Sequence, residues 1–81
     1  MGPLITTTYT PVSAEIISDQ ENYQYILVNY KTVTRTSRKE TESDGEEIIS
    51  RSKLDGTFKK LDGKDPYLNL DEIVELLEKG Q

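Results

Sequence analysis

From Tyr23 to Thr36 the chain reads YQYILVNYKTVTRT, a run of β-branched, aromatic and polar residues with no helix or turn signal inside it. Successive strand side chains point to opposite sides. One side would carry Ile26, Val28 and Tyr30; the other would carry Tyr23, Tyr25, Leu27 and Val33. Both sides are apolar. The run therefore predicts a central strand with more apolar surface than one small neighbour covers.

Shorter patterns flank it. Leu4 to Thr10 (LITTTYT) predicts a strand, because consecutive threonines disfavour helix. Pro11 then predicts an edge position or a break, since proline has no N–H for a central ladder. Val12 to Ser18 sets Val12, Ala14 and Ile16 against Ser13, Glu15 and Ile17, a second half-buried strand. Asp19 to Asn22 is a polar turn. Thr36 to Glu47 is polar throughout, and Asp44-Gly45 inside it predicts a tight turn. Residues 37–45 contain no apolar side chain and are expected to form a mobile hairpin loop. Glu46 to Leu54 reads as the returning strand. The tetrad Lys53-Leu54-Asp55-Gly56 recurs as Lys60-Leu61-Asp62-Gly63, which predicts a short strand between two glycine turns.

The helix signal lies at the C-terminal end, over residues 68–80. Asn69 is a good N-cap, Glu72 completes a capping box, and Leu68 with Ile73 forms a hydrophobic staple. Leu70, Ile73, Val74 and Leu77 recur at helical spacing. Asp71 and Glu72 suit the positive start, Lys79 the negative end, and Gly80 the C′ position. Such a helix is roughly 15 Å long, whereas a strand from Tyr23 to Arg35 extends about 40 Å. The distal end of the strand should therefore leave the body as a two-stranded arm or bend at a bulge.

These elements predict one α+β domain over residues 1–81: an antiparallel sheet of four or five strands, a meander with a long central hairpin, and one C-terminal helix on one face. The expected core is Val12, Ala14, Ile16, Ile26, Val28, Tyr30, Ile48, Phe58, Leu61, Leu70, Ile73, Val74 and Leu77.

Composition narrows the function classes. At 33% hydrophobic and 31% charged, the chain sits at the polar end of globular proteins. It has neither Cys nor His, so thiolate chemistry and the commonest general base are absent. No apolar run spans a membrane. The start, MGPLITTTYTP, lacks the charged and apolar regions of a signal peptide. A cytoplasmic location is expected, and a virion setting is compatible with the same features. Small acidic cysteine-free domains of this layout are frequent among phage and mobile-element proteins, an association that assigns no partner.

The net charge of −5 is uneven. Residues 31–60 hold eight bases and six acids, whereas the segments on either side are acidic. Lys31, Arg35, Arg38, Lys39, Arg51 and Lys53 therefore support an alternative reading as a nucleic-acid-binding β-ribbon. Glu40, Glu42, Asp44, Glu46 and Glu47 oppose it, because phosphates would repel them. Ser50 or Ser52 with Lys53 is the only nucleophile–base pairing of note, and ordinary strand positions explain it better. Asp62, Asp65, Asn69 and Asp71 cluster in DGKDPYLNLD without EF-hand spacing. No cofactor, metal or catalytic residue is expected. The sequence thus predicts a non-enzymatic protein-interaction module, an assembly component, adaptor or inhibitor, whose partner is another protein or a second copy. Its expected contact residues are Tyr23, Tyr25, Leu27, Val33 and Arg35. The competing possibility is that the N-terminal strands fold over that face as a second layer.

Overall fold

The computed structural model describes residues 4–79. Four strands form one antiparallel sheet in chain order: β1 (Thr6–Asp19), β2 (Tyr23–Arg35), β3 (Glu40–Ser52) and β4 (Phe58–Lys60). Helix α1 (Leu70–Lys79) follows.

The two N-terminal strands expected around Pro11 are a single strand. β1 runs through the proline and absorbs the irregularity in register shifts at Pro11/Ser13 and Ile16/Ser18. Its position at the sheet edge makes this tolerable, because bulges and proline belong to edge strands. The shifts leave Val12 and Ile17 without register partners, and they are 58% and 46% exposed. Val12 therefore does not belong to the core.

The first turn is closed by the Gln20 N–H donating to the Tyr23 carbonyl at 2.8 Å. The β2–β3 turn lies at Thr36–Lys39, not at Asp44-Gly45. There the Thr36 N–H donates to the Lys39 carbonyl at 2.9 Å, and the Thr36 hydroxyl accepts from the Arg38 and Lys39 N–H groups at 3.3 and 3.2 Å. Threonine supplies the turn chemistry, so residues 40–45, read from sequence as loop, are strand. Gly45 sits mid-strand opposite Tyr30, and a Cβ placed on it would lie 2.5 Å from Tyr30 Cζ.

Both Asp-Gly steps form turns as expected. Gly56 and Gly63 have φ of 76° and 83°, values that favour glycine. In each turn the aspartate accepts from the N–H two residues on, Asp55 from Thr57 and Asp62 from Lys64, both at 2.9 Å. The helix is capped by Asn69, whose side-chain oxygen accepts the Glu72 N–H at 3.2 Å. Gly80 lies outside the described residues.

Ile26, Val28, Ile49, Phe58, Leu68, Ile73 and Leu77 are buried in one cluster, with Ala14, Ile16, Tyr30, Leu70 and Val74 packed against it. Two expected core residues are corrected by register. Ile26 pairs with Ile49, so Ile49 shares its side of the sheet and Ile48 points to the other. Leu61 follows β4 and is 64% exposed. Leu68, expected as a helix staple, is itself core. The fully buried side chains of β2 stop at Val28, while β2 continues to Arg35 inside a body 50 Å long. The arm beyond Tyr30 is three-stranded and not two-stranded, because β1 stays paired to Thr6↔Arg35 and β3 to Arg35↔Glu40. A third strand makes such an extension far less marginal than a lone hairpin.

Ile73→Ala or Leu77→Ala is expected to cost about 2–5 kcal/mol, a large part of a small domain's stability. An unchanged urea midpoint in both variants would show that α1 contributes little. Gly45→Ala should destabilise by about 1–3 kcal/mol, because the new methyl must displace the Tyr30 ring. If the midpoint rises instead, as strand propensity alone would have it, that close approach does not constrain the fold.

Candidate functional site

Strand parity places Tyr23, Tyr25, Leu27, Val33 and Arg35 on the side of β2 opposite Ile26 and Val28. Their cross-strand neighbours decide which of them act together. Tyr25 lies between Ser18 and Ser50, and Leu27 between Glu15 and Ile48. Val33 lies between Thr8 and Glu42, and Arg35 between Thr6 and Glu40. Val33 is about 20 Å along the strand from Leu27, with Asn29 and Lys31 between them on the same side. The structure therefore unites Tyr25 and Leu27, and separates Val33 and Arg35 from them. Tyr23 is exposed at the strand's start.

Sequence reasoning missed two members of this surface because it placed them in the core. Ile48 pairs directly with Leu27, and Leu61 reaches the same place from the chain just after β4. With Glu46, Lys60 and Asp62 they line an open cavity of about 470 Å³. No local signal separates Ile48 from Ile49; only register does. The N-terminal strand does not cover this surface, because β1 lies beside β2 within the same sheet.

The basic residues do not assemble into one face. Lys31 pairs with Glu42 at 3.5 Å, Arg35 with Glu40, and Lys53 with Asp19 at 2.5 Å. The hydrogen bond from Lys53 holds the Asp19 carboxyl below its ordinary value. Arg51 lies over the Phe58 ring at 5.3 Å, on the side of the buried cluster. Arg38 and Lys39 occupy the turn. Acids share the strand side of Leu27: Glu40, Glu42, Asp44 and Glu46 follow one another along β3 at every second residue.

The Ser–Lys pairing expected least is not formed. The Ser50 hydroxyl donates to the Lys59 carbonyl at 3.3 Å, the Ser52 hydroxyl accepts from the Leu54 N–H, and Lys53 is on Asp19. In the acidic loop Asp62 closes its turn, Asp65 holds Lys59 at 2.6 Å and Asn69 caps the helix. Among the described residues no three metal-ligating side chains converge. None of their helices is long and apolar enough to cross a membrane.

A tyrosine cluster ties the loop before α1 to the arm. Tyr67 lies 4.6 Å from Tyr9 and 6.0 Å from Tyr30 between ring centroids, and its hydroxyl donates to that of Tyr30 at 3.0 Å. Lys60 sits 5.2 Å from the Tyr67 ring centre and 3.5 Å from Glu47. The bond to Tyr30, partial burial and the Glu47 charge push the Tyr67 phenol well above its ordinary value.

A scan against protein-family models finds no match, and searches of curated proteins and of solved structures find no significant one.

A tyrosine whose folded pKa exceeds its unfolded value near 10 keeps its proton in the fold after the unfolded chain has lost it. Its contribution is complete below about pH 10 and is lost as pH rises further. Tyr67→Phe should flatten the alkaline fall in stability, read as urea midpoints between about pH 9 and 11. An equally steep fall in the variant would place the responsible group elsewhere.

Proposed function

We propose that this chain is a non-enzymatic protein-interaction module, working as an assembly component, adaptor or inhibitor. In this reading α1 covers one face of the sheet only. The opposite face, with the extended β2–β3 hairpin, meets the partner. The observation that carries it is the apolar pair Leu27–Ile48, flanked by Tyr25 and Leu61, on the side of the sheet away from the buried cluster. A small protein has little reason to place apolar residues there unless another surface covers them.

The chemistry elsewhere supports a binding role. The Ser52 hydroxyl and the Asp62 carboxylate are engaged in turns, and Lys53 and Lys59 in ion pairs with Asp19 and Asp65. The nucleic-acid alternative is weakened by the acids that pair Lys31 and Arg35, since a phosphate-binding face needs net positive charge.

Leu27→Asp tests the proposal. Leu27 is only half-buried, so the variant should fold, with unchanged far-ultraviolet circular dichroism. Covering Leu27 would contribute roughly 1.5–3 kcal/mol to an interface. The variant should therefore lose self-association in light scattering, or lose capture of a partner. An unfolded variant would mean that the residue is internal and that this face is not a contact surface.

A further inference from the structure

We infer that the free edge of β3, from Glu40 to Glu46, receives an extended basic segment of another protein as an added strand. This rests on the reading of the chain as a protein-interaction module, and names the chemistry of its partner.

The edge is free because β4 is short. Among the described residues β4 pairs only with Ile49, Ser50 and Arg51, and the chain that leaves it, Leu61 and Asp62, lies beside Glu47 and Ile48, so no strand lies beside residues 40–46. That lane is about 23 Å long, room for a strand of some seven residues. The direction of its backbone groups follows from the turn. The Ser52 N–H donates to Thr57 on the β4 side, whereas the Lys53 N–H donates to Asn22 on the β2 side, both at 2.9 Å. The β2–β3 register has no shift, so the alternation persists. Glu42, Asp44 and Glu46 therefore turn their N–H and C=O groups outward, ready for a new ladder.

The same residues fix the character of the incoming strand. Their side chains all lie on the Leu27 side of the sheet, three acids with Ile48 next in line. Asp44 and Glu46 have no ion-pair partner among the described residues, whereas Glu40 and Glu42 are held by Arg35 and Lys31. A complementary strand carries Lys or Arg at alternate positions facing Asp44 and Glu46. At the end nearest β4 it places an apolar side chain against the open cavity that Leu27, Ile48 and Leu61 help to line. A second copy offers no such strand: β3 against β3 would oppose acid to acid, β1 has no basic residue, and β4, which carries Lys59 and Lys60, is only three residues long.

The test is fluorescence anisotropy with a labelled nine-residue peptide in which lysine alternates with threonine and one leucine lies near an end. Saturable, salt-sensitive binding is expected, and the same peptide with glutamate for lysine should bind at least about tenfold more weakly. Asp44→Pro removes one outward N–H at an edge position and should weaken the lysine peptide about tenfold with unchanged circular dichroism. The double variant Asp44→Lys, Glu46→Lys should weaken it similarly, and serves if the proline variant does not fold. Equal binding of both peptides, no binding, or full binding by a folded variant would overturn the inference. Self-association lost in the double variant would also overturn it, by making a second copy the occupant. If the peptide fails to bind while Leu27→Asp still abolishes an association, the inference falls and the interaction-module reading stands.

Discussion

The pairing of Ile26 with Ile49 sets the whole β2–β3 register, and with it the side on which every residue of both strands is found. A slip of one residue would exchange the two sides of β3. Ile48 would then enter the core, and the row of acids would share the side of Ile26 and Val28. The register as it stands collects Ile26, Val28, Ile49 and Phe58 into one cluster with Ile73 and Leu77. These few side chains close the core of a small domain, so the hydrophobic driving force is concentrated at one end of the sheet.

The other end is held by different means. Beyond Tyr30 no β2 residue is fully buried, yet all three strands stay in register to the tip. Thr36 closes the turn, and the Lys31–Glu42 and Arg35–Glu40 pairs lie across the strands. Exposed pairs of this kind contribute little each. The larger restraint is aromatic: Tyr30 covers Gly45 and meets Tyr9 and Tyr67, and this joins all three strands to the loop before α1. The arm is thus anchored at its base by ring packing, and depends along its length on backbone pairing.

The two long edges are protected differently. β1 carries Pro11 and two register shifts, both of which discourage addition of another strand. β3 has no shift, and its guard is charge alone. Charge discourages copies of an acidic edge from pairing and is complementary to a basic strand. The apolar Leu27–Ile48–Leu61 site stands where that edge meets the second face.

Much of this was legible in the residues. The Asn69 cap, the helix over Leu70–Lys79, the two glycine turns and the alternation of β2 all follow from local chemistry, and each appears in the structure. Local signals failed where two of them competed. Asp44-Gly45 is a good turn by composition, but the hydroxyl of Thr36 closes the chain earlier, and the glycine serves to admit the Tyr30 ring. Pro11 is a good strand break, but an edge position makes its missing N–H harmless. The apolar group on the side away from the core was only half legible. Tyr25 and Leu27 follow from period two, whereas Ile48 and Leu61 look like core in any sequence window. Sequence by itself determined the turns at Gly56 and Gly63, the alternation of β2 and where the helix begins. Tertiary structure alone decided which of two adjacent isoleucines is buried and which edge remains open, because register and strand order depend on contacts between residues distant in the chain.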